Sequence, residues 1–178
     1  MKSLTLLRHA KSGWDDPVTR DFDRPLNPRG RRAARTVGAE MKAQGLAFEL
    51  VLASPARRVV ETLDEIAGGY GAIARCYDER LYLAAAATLL HIVRHAPDDV
   101  GRLLLVGHNP GLEELALRLA RGDGDALRGE VEVKYPTGTV VEIELPVERW
   151  SEVRQGSGRI ARFIRPRDLD PELGPDAE

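Results

Sequence analysis

Several features are scarce in this sequence of 178 residues, and each scarcity excludes a class of protein. The single cysteine, Cys76, rules out an internal disulfide and a cysteine-based metal site, and we predict that it is a small buried residue. The 28 acidic and 26 basic residues leave a net charge of −2, so neither nucleic acid nor a membrane is expected as a partner. No apolar run could span a bilayer or form the core of a signal peptide. We therefore expect a cytoplasmic protein in which any anion-binding site is formed locally.

Short apolar runs alternate with amphipathic stretches through the first two thirds of the chain, which is typical of a parallel sheet covered by helices. The predicted strands cover residues 3–7, 50–53, 74–77 and 103–106. Helices are predicted to begin at the pairs Asn27-Pro28, Ser54-Pro55 and Asn109-Pro110, and another covers about 84–96. The pattern predicts an α/β fold with a three-layer, doubly wound, mostly parallel sheet and helices on both faces.

The last third of the chain has a different pattern. Residues 139–145 alternate apolar and acidic side chains, which indicates a strand with one face in solvent. The segments 150–154 and 159–164 flank a Gln-Gly-Ser-Gly turn and are predicted to form a hairpin. We expect these strands to be antiparallel additions to one edge of the sheet. A single domain is predicted over residues 1–166, followed by a loosely held, acidic, proline-rich tail over 167–178.

Two of the predicted strands are followed at once by histidine, His9 and His108, and Arg8 precedes the first of them. The carboxyl ends of parallel strands meet at one edge of a sheet, where ligands of open α/β folds bind. Arg57, near the start of the second predicted helix, is expected at the same edge. Guanidinium groups match phosphate oxygens, and a neutral imidazole can attack phosphorus. The sequence therefore predicts a phosphoryl-transfer site that needs neither a metal nor a cofactor.

His91 and His95 lie four residues apart on a predicted helix, which is half of a zinc-binding pattern. No third ligand accompanies them, and we predict that both are surface residues.

These motifs, in this order and spacing, resemble the histidine phosphatase superfamily, which is also called phosphoglycerate-mutase-like. The resemblance covers about residues 2–119. Within the superfamily the chain is most similar to the short SixA-type phosphohistidine phosphatases. The matching segments are Arg8-His9-Ala10, Asp23-Arg24-Pro25-Leu26 with Asn27 and Gly30, Ser54-Pro55-Ala56-Arg57, and Gly107-His108-Asn109-Pro110-Gly111.

The resemblance implies a role for each matching residue. His9 is expected to be the nucleophile that becomes phosphorylated, with Arg8 and Arg57 holding the phosphoryl oxygens. A charged His108 is expected to stabilise the transferring group, and Ser12 is expected to bind phosphate.

The proton donor is less well defined by the motifs. In the family a carboxylate after the second helix serves as general acid, and Glu79 in Asp78-Glu79-Arg80 matches that context. Asp15 stands where larger members have asparagine, so Asp15 or water could also protonate the leaving group.

The implied activity is a metal-independent phosphatase whose substrate is phosphohistidine in a protein. One alternative is a phosphomonoesterase acting on a sugar phosphate or a nucleotide. Another is a binding module that retains the pocket without turnover. The sequence does not distinguish oligomeric states.

Overall fold

A six-stranded mixed sheet forms the centre of the molecule in the computed structural model, which describes residues 1–13, 16–17, 19–122 and 124–174. The strand order is β3-β2-β4-β1-β5-β6. The strands are β1 (Lys2–Arg8), β2 (Leu50–Ala53), β3 (Cys76–Tyr77), β4 (Arg102–Gly107), β5 (Val140–Leu145) and β6 (Arg159–Ile164). The α-helices are α1 (Pro28–Ala43), α2 (Arg57–Tyr70), α3 (Ala86–Arg94), α4 (Gly111–Leu119), α5 (Ala126–Val133) and α6 (Pro166–Leu169).

The first four strands are parallel, and β1 and β4 are neighbours near the middle of the sheet. Their register pairs Arg8 with Gly107, so His9 and His108 each follow a strand at the same level of the sheet. Strand β2 lies on the other side of β4 and ends just before Ser54. The prediction that two histidines leave adjacent parallel strands is confirmed.

Helices cover both faces of the sheet, which confirms the doubly wound, three-layer prediction. Leu4 and Leu6 of β1 pack with α3 and α4, whereas Leu7 packs with α1 and α2 on the opposite face. Because both faces are covered, the central strands can be continuously apolar. Here β1 and β4 contain the runs Leu-Thr-Leu-Leu and Leu-Leu-Leu-Val.

Strands β5 and β6 are antiparallel additions at one edge, as predicted. The predicted hairpin between 150–154 and 159–164 is wrong, because β6 pairs with β5 and residues 150–152 form a 3₁₀ helix. Trp150 explains the difference. Its side chain is fully buried, and its indole Nε1 donates a hydrogen bond to the Val100 carbonyl at 2.7 Å. Burial of this large aromatic outweighs strand pairing in the segment.

Helix α1 begins as the sequence predicts. The Asn27 side chain accepts a hydrogen bond from the Gly30 backbone at 2.8 Å, and Pro28 occupies the first helical position. A Cβ atom at Gly30 would lie 2.0 Å from the Lys11 carbonyl oxygen. The absence of a side chain there lets α1 pack directly against the segment that follows β1.

Two regions differ from the expectations. Cys76, predicted to be buried, is exposed, because β3 is a two-residue strand at the sheet edge. In the C-terminal region, α6 is followed by a 3₁₀ helix at Pro171–Leu173, and Arg32 of α1 forms ion pairs with Asp170 and Glu172. The proposed boundary after residue 166 falls inside α6, and residues 175–178 lie outside the described residues.

Within the described part of the chain, no helix has the length and apolar character needed to cross a membrane.

Candidate active site

The imidazole rings of His9 and His108 lie 5.3 Å apart, measured between centroids, at the carboxyl ends of β1 and β4. Both line a cavity of about 360 Å³, here called the histidine pocket. The pocket contains four cationic side chains and a single carboxylate among the described residues. Its lining residues are Arg8, His9, Lys11, Ser12, Asp21, Arg24, Arg58, Leu83, His108, Asn109 and Thr137.

The hydrogen bonds of His9 identify which of its nitrogens can react. Nδ1 lies 2.7 Å from the Ala10 carbonyl oxygen. A carbonyl can only accept, so Nδ1 carries the hydrogen and Nε2 of the neutral ring has a free lone pair. Burial lowers the pKa of His9 from 6.5 to about 3, against the raising effect of the Ala10 hydrogen bond, and the nearby Arg58 lowers it further. His9 is therefore neutral at pH 7, as a nucleophilic imidazole must be.

His108 is held by two polar contacts. Its Nδ1 lies 3.2 Å from Arg58 Nη2, and its Nε2 lies 2.8 Å from Ser54 Oγ. Because a guanidinium can only donate, Nδ1 accepts and Nε2 donates to the serine. Burial, followed by the charge of Arg58, lowers the pKa of His108 to about 3. The ring is therefore neutral in this structure, in contrast to the charged His108 expected from the sequence.

Ser54 has a function that the sequence analysis missed. The sequence predicts a helix cap, but α2 begins at Arg57 and its N-cap residue, Ala56, makes no side-chain cap. The Ser54 hydroxyl accepts a 3.3 Å hydrogen bond from the Ala56 backbone and also contacts His108. It is fully buried and fixes the orientation of the His108 ring.

The arginine that α2 contributes to the histidine pocket is Arg58, and the prediction that Arg57 lies there is wrong. Arg58 is 2% exposed and contacts His108. The Arg57 side chain is 55% exposed, pairs with Glu61 at 3.1 Å and is absent from the pocket lining.

The sequence contains a signal that could have identified the correct arginine. Arg58 lies four residues before Thr62 and eight before Ile66, on the buried face of α2. Arg57 lies four residues before Glu61, on the charged face.

Arg58 is positioned by Asp21, another residue that the sequence analysis did not identify. Arg58 donates to the Asp21 backbone carbonyl at 2.7 Å and to its carboxylate at 3.1 Å. The Tyr82 hydroxyl donates to the same carboxylate at 2.5 Å. Burial raises the pKa of Asp21, but the Tyr82 hydrogen bond, the charge of Arg58 and the hydrogen bonds from Arg24 and Arg58 outweigh burial and lower it to about 2. Asp21 is therefore ionised at pH 7.

Arg8 and Ser12 both line the pocket. Arg8 Nη1 donates to the Tyr135 carbonyl at 3.0 Å, and burial lowers the pKa of Arg8. The Nε atoms of Arg8 and Arg58 are buried without a hydrogen-bond partner among the described residues. Ser12 Oγ accepts a 2.6 Å hydrogen bond from Arg24. The pocket therefore contains two buried guanidinium donors that an incoming oxyanion could satisfy.

Of the proposed proton donors, Glu79 is not found in the pocket. Glu79 lies on a 3₁₀ helix at Glu79–Leu81 and does not line the cavity. Leu81 is the residue of this helix that faces the interior, and Glu79 is exposed to solvent. Asp15 lies outside the described residues.

Metal-binding groups are also lacking in the part of the chain that the structure describes. No set of three or more His, Cys, Asp and Glu side chains there is placed to hold an ion. His91 and His95 are exposed on α3 and the residue after it, with their rings 4.2 Å apart. The residues of the histidine pocket suit binding of an oxyanion by guanidinium groups.

Comparisons with known proteins agree with this geometry. Residues 4–82 match the model of the histidine phosphatase superfamily, branch 1. Over 163 residues the chain is 37% identical to an uncharacterized protein of Mycobacterium tuberculosis, covering 90% of this chain and 100% of that protein. This chain belongs to the histidine phosphatase superfamily. The sequence resemblance to this superfamily is confirmed.

Solved structures of two superfamily members have the same fold. One is a candidate SixA phosphohistidine phosphatase from Nakamurella multipartitia, with a TM-score of 0.80 and 26% identity over 93% of this chain and 96% of that chain. The other is a candidate SixA from Agrobacterium tumefaciens, with a TM-score of 0.76 and 27% identity over 92% of this chain and 97% of that chain. The family and the fold together identify this protein as a phosphatase.

Proposed function

We propose that this histidine phosphatase removes phosphate from phosphohistidine in a protein, through a covalent phosphohistidine on Nε2 of His9 and without a metal ion. The observation that carries the proposal is the hydrogen bond from His9 Nδ1 to the Ala10 carbonyl, which leaves Nε2 as the nucleophilic atom. This atom belongs to a pocket that also contains two buried arginines.

In the first step, His9 Nε2 attacks phosphorus and the bond from phosphorus to the substrate imidazole breaks. The electron pair of that bond stays on the departing nitrogen. Arg8 and Arg58 donate to the phosphoryl oxygens, whose negative charge is spread over three atoms in a loose transition state. A phosphoryl dianion near His108 opposes the effect of burial on its pKa. Because Nδ1 accepts from Arg58, the ring gains a proton there only when Arg58 turns this donor to the phosphoryl oxygens.

In the second step, water attacks the phosphorus of phospho-His9 and the bond to Nε2 breaks. Inorganic phosphate leaves, and the His9 lone pair is restored. Because both steps pass through similar transition states, the same arginines act in each. The Ser54 contact holds His108 in place throughout.

The ionised state of the one carboxylate among the described lining residues favours a phosphohistidine substrate over an alkyl ester. Among the described lining residues, Asp21 is the only carboxylic acid, and it is ionised and bound to Arg58. An alkoxide leaving group requires a proton donor, whereas an imidazole has an ordinary pKa of about 6.5 and can leave with its own proton. The pocket is thus better suited to breaking a P–N bond than an alkyl P–O bond.

The proposal is tested by measuring phosphate release with EDTA present. The substrates are a phosphohistidine-bearing protein, an alkyl sugar phosphate, and a series of aryl phosphates with leaving groups of increasing pKa. We expect rapid release from phosphohistidine, a steep fall along the aryl series, and slow release from the sugar phosphate. The same assays are repeated with His9→Ala.

Three outcomes contradict the proposal. Efficient turnover of the sugar phosphate with little dependence on leaving-group pKa would identify a phosphomonoesterase with its own proton donor. Binding of phosphate without release from any substrate would identify a binding module. Loss of activity with EDTA, restored by a divalent metal, would refute the metal-independent mechanism.

A further inference from the structure

A second cavity, of about 540 Å³, adjoins the histidine pocket and shares Arg8, Lys11 and Thr137 with it. Its walls come from the start of α1, the connection between α5 and β5, the start of α6 and the 3₁₀ helix that follows. Its volume is in the range of sites that bind small molecules or single side chains. This cavity is here called the cationic vestibule.

The vestibule is strongly positive. Its lining includes the cationic side chains of Arg8, Lys11, Arg29, Lys134 and Arg167, and no Asp or Glu among the described residues. The chain as a whole has a net charge of −2, so this concentration of positive charge is local. A concave surface of one sign raises the local concentration of ligands of the opposite sign.

The acidic residues near Arg167 in the sequence are paired with other arginines. Asp168 binds Arg165 at 2.7 Å, and Asp170 binds Arg32 at 2.5 Å. Within the described ranges, the guanidinium of Arg167 has no hydrogen-bond or ion-pair partner. Its charge at the vestibule is therefore not neutralised by these neighbours.

At the other wall, the charge of Lys134 is likewise not neutralised by its acidic neighbours. The nearest acidic residue before it, Glu132, pairs with Arg128 at 3.2 Å. The Lys134 side chain is exposed and has no partner of either kind in the described part of the protein. The two walls of the vestibule thus each present a cation that can bind an anion without breaking an existing ion pair.

We propose that the cationic vestibule binds a second anionic group of the substrate, a carboxylate or a phosphate, while the transferred phosphoryl group occupies the histidine pocket. The inference rests on the proposed function for the placement of the phosphoryl group. Arg8 and Lys11 line both cavities, so one substrate with two anionic groups can contact both. For a phosphohistidine protein, the second group is an acidic side chain close to the phosphohistidine. In a small ester with two phosphate groups, the second phosphate is the equivalent anionic group.

The test uses the full chain and pairs of substrates that differ in one anionic group. One pair is a phosphohistidine peptide flanked by Asp and the same peptide flanked by Asn. The other pair is a sugar bisphosphate and its monophosphate. The enzyme is compared with Lys134→Gln/Arg167→Gln and with Arg149→Gln/Arg154→Gln. The control removes two charges from exposed arginines beyond β5, at the opposite end of β1.

The preference is the ratio of kcat/KM for the Asp-flanked peptide to kcat/KM for the Asn-flanked peptide. We expect Lys134→Gln/Arg167→Gln to lower this ratio by about tenfold, mostly through KM. The control should keep the preference of the unaltered enzyme. A selective loss with the bisphosphate alone would also support the vestibule and identify its anion as a phosphate. An unchanged preference in both pairs overturns the inference, and so does an equal loss with every substrate in a variant that keeps its Tm.

Failure of the proposed function gives a different result. The unaltered enzyme would then release no phosphate from either peptide, while the ester pair still reports on the vestibule. Thermal unfolding of each variant detects a general loss of structure, which would lower kcat/KM for all four substrates together.

Discussion

Arg58→Gln is the substitution that tests the site most directly, because the sequence and the structure disagree about this residue and Arg57. Arg58 is buried and contacts both Asp21 and His108. Glutamine keeps the length of much of the side chain but removes the charge and the forked donor. If Arg58 holds the transferring phosphoryl group, its loss weakens the transition state more than the ground state.

The expected loss in kcat is on the order of 10²- to 10³-fold, the usual effect of removing one positioned donor at a developing oxyanion. Stability also falls, because Asp21 and the Nδ1 atom of His108 lose a partner, which costs about 1–3 kcal/mol. For a domain of this size, such a loss lowers Tm by roughly 2–12 °C. Activity is therefore assayed well below the Tm of the variant.

The matched control is Arg57→Gln, one residue earlier in the same helix. Arg57 is more than half exposed and pairs with Glu61 on the surface of α2, so kcat should change by less than about twofold. Arg58→Lys is the conservative variant. It retains the charge without the fork and is expected to have intermediate activity.

Arg58 is not the phosphoryl-binding arginine if Arg57→Gln is the inactive variant and Arg58→Gln the active one. The same conclusion follows if Arg58→Gln loses activity only in proportion to its loss of folded protein. A second readout is the pKa of His108, followed by NMR titration. Because Arg58 lowers the pKa of His108, this pKa should rise in Arg58→Gln, although burial continues to hold it below 6.5.

Three further predictions follow from the site. His9→Ala should abolish formation of an acid-labile phosphoenzyme and lower kcat by at least about 10³-fold, measured by trapping after rapid mixing with labelled substrate. Asp21→Asn should lower kcat by about tenfold without shifting the leaving-group dependence, because Asp21 positions Arg58 and donates no proton; a selective loss on poor leaving groups would contradict this. Stability should fall as pH falls from 6.5 toward 3, by up to about 2 kcal/mol per buried histidine at pH 5. Over that range the unfolded chain protonates His9 and His108 while the folded protein does not. Denaturant titrations at several pH values measure the effect, and constant stability from pH 7 to 5 would refute it.

The sequence could predict those site residues that directly follow the central strands. The apolar runs before His9 and before Gly107 are strongly patterned, and both strands are buried on two faces. Parallel pairing then brings the following residues to one edge. The pair Asn27-Pro28, an N-cap residue followed by proline, likewise predicts the start of α1 correctly.

The part that the sequence could not predict depends on helix rotation and on loops. Successive residues of a helix point about 100° apart, so the choice between Arg57 and Arg58 depends on the rotation of α2 about its axis. Asp21 lies in the connection between β1 and α1, and its tertiary contacts with Arg58 and Tyr82 place it at the site. Its importance is visible only once those residues are placed.

The segment after β3 shows why the position of the carboxylates matters for the chemistry. The sequence points to Glu79 as the group that this segment supplies, yet it is Tyr82 that reaches the site, through its hydrogen bond to Asp21. The hydroxyl of Tyr82 and the guanidinium of Arg58 keep Asp21 ionised, so this carboxylate orients an arginine and holds no proton to donate. In the proposed mechanism, an enzyme arranged in this way depends on the leaving group for its own protonation. On the proposed function, that dependence favours phosphohistidine and disfavours alkyl esters, because imidazole is a far better leaving group than an alkoxide.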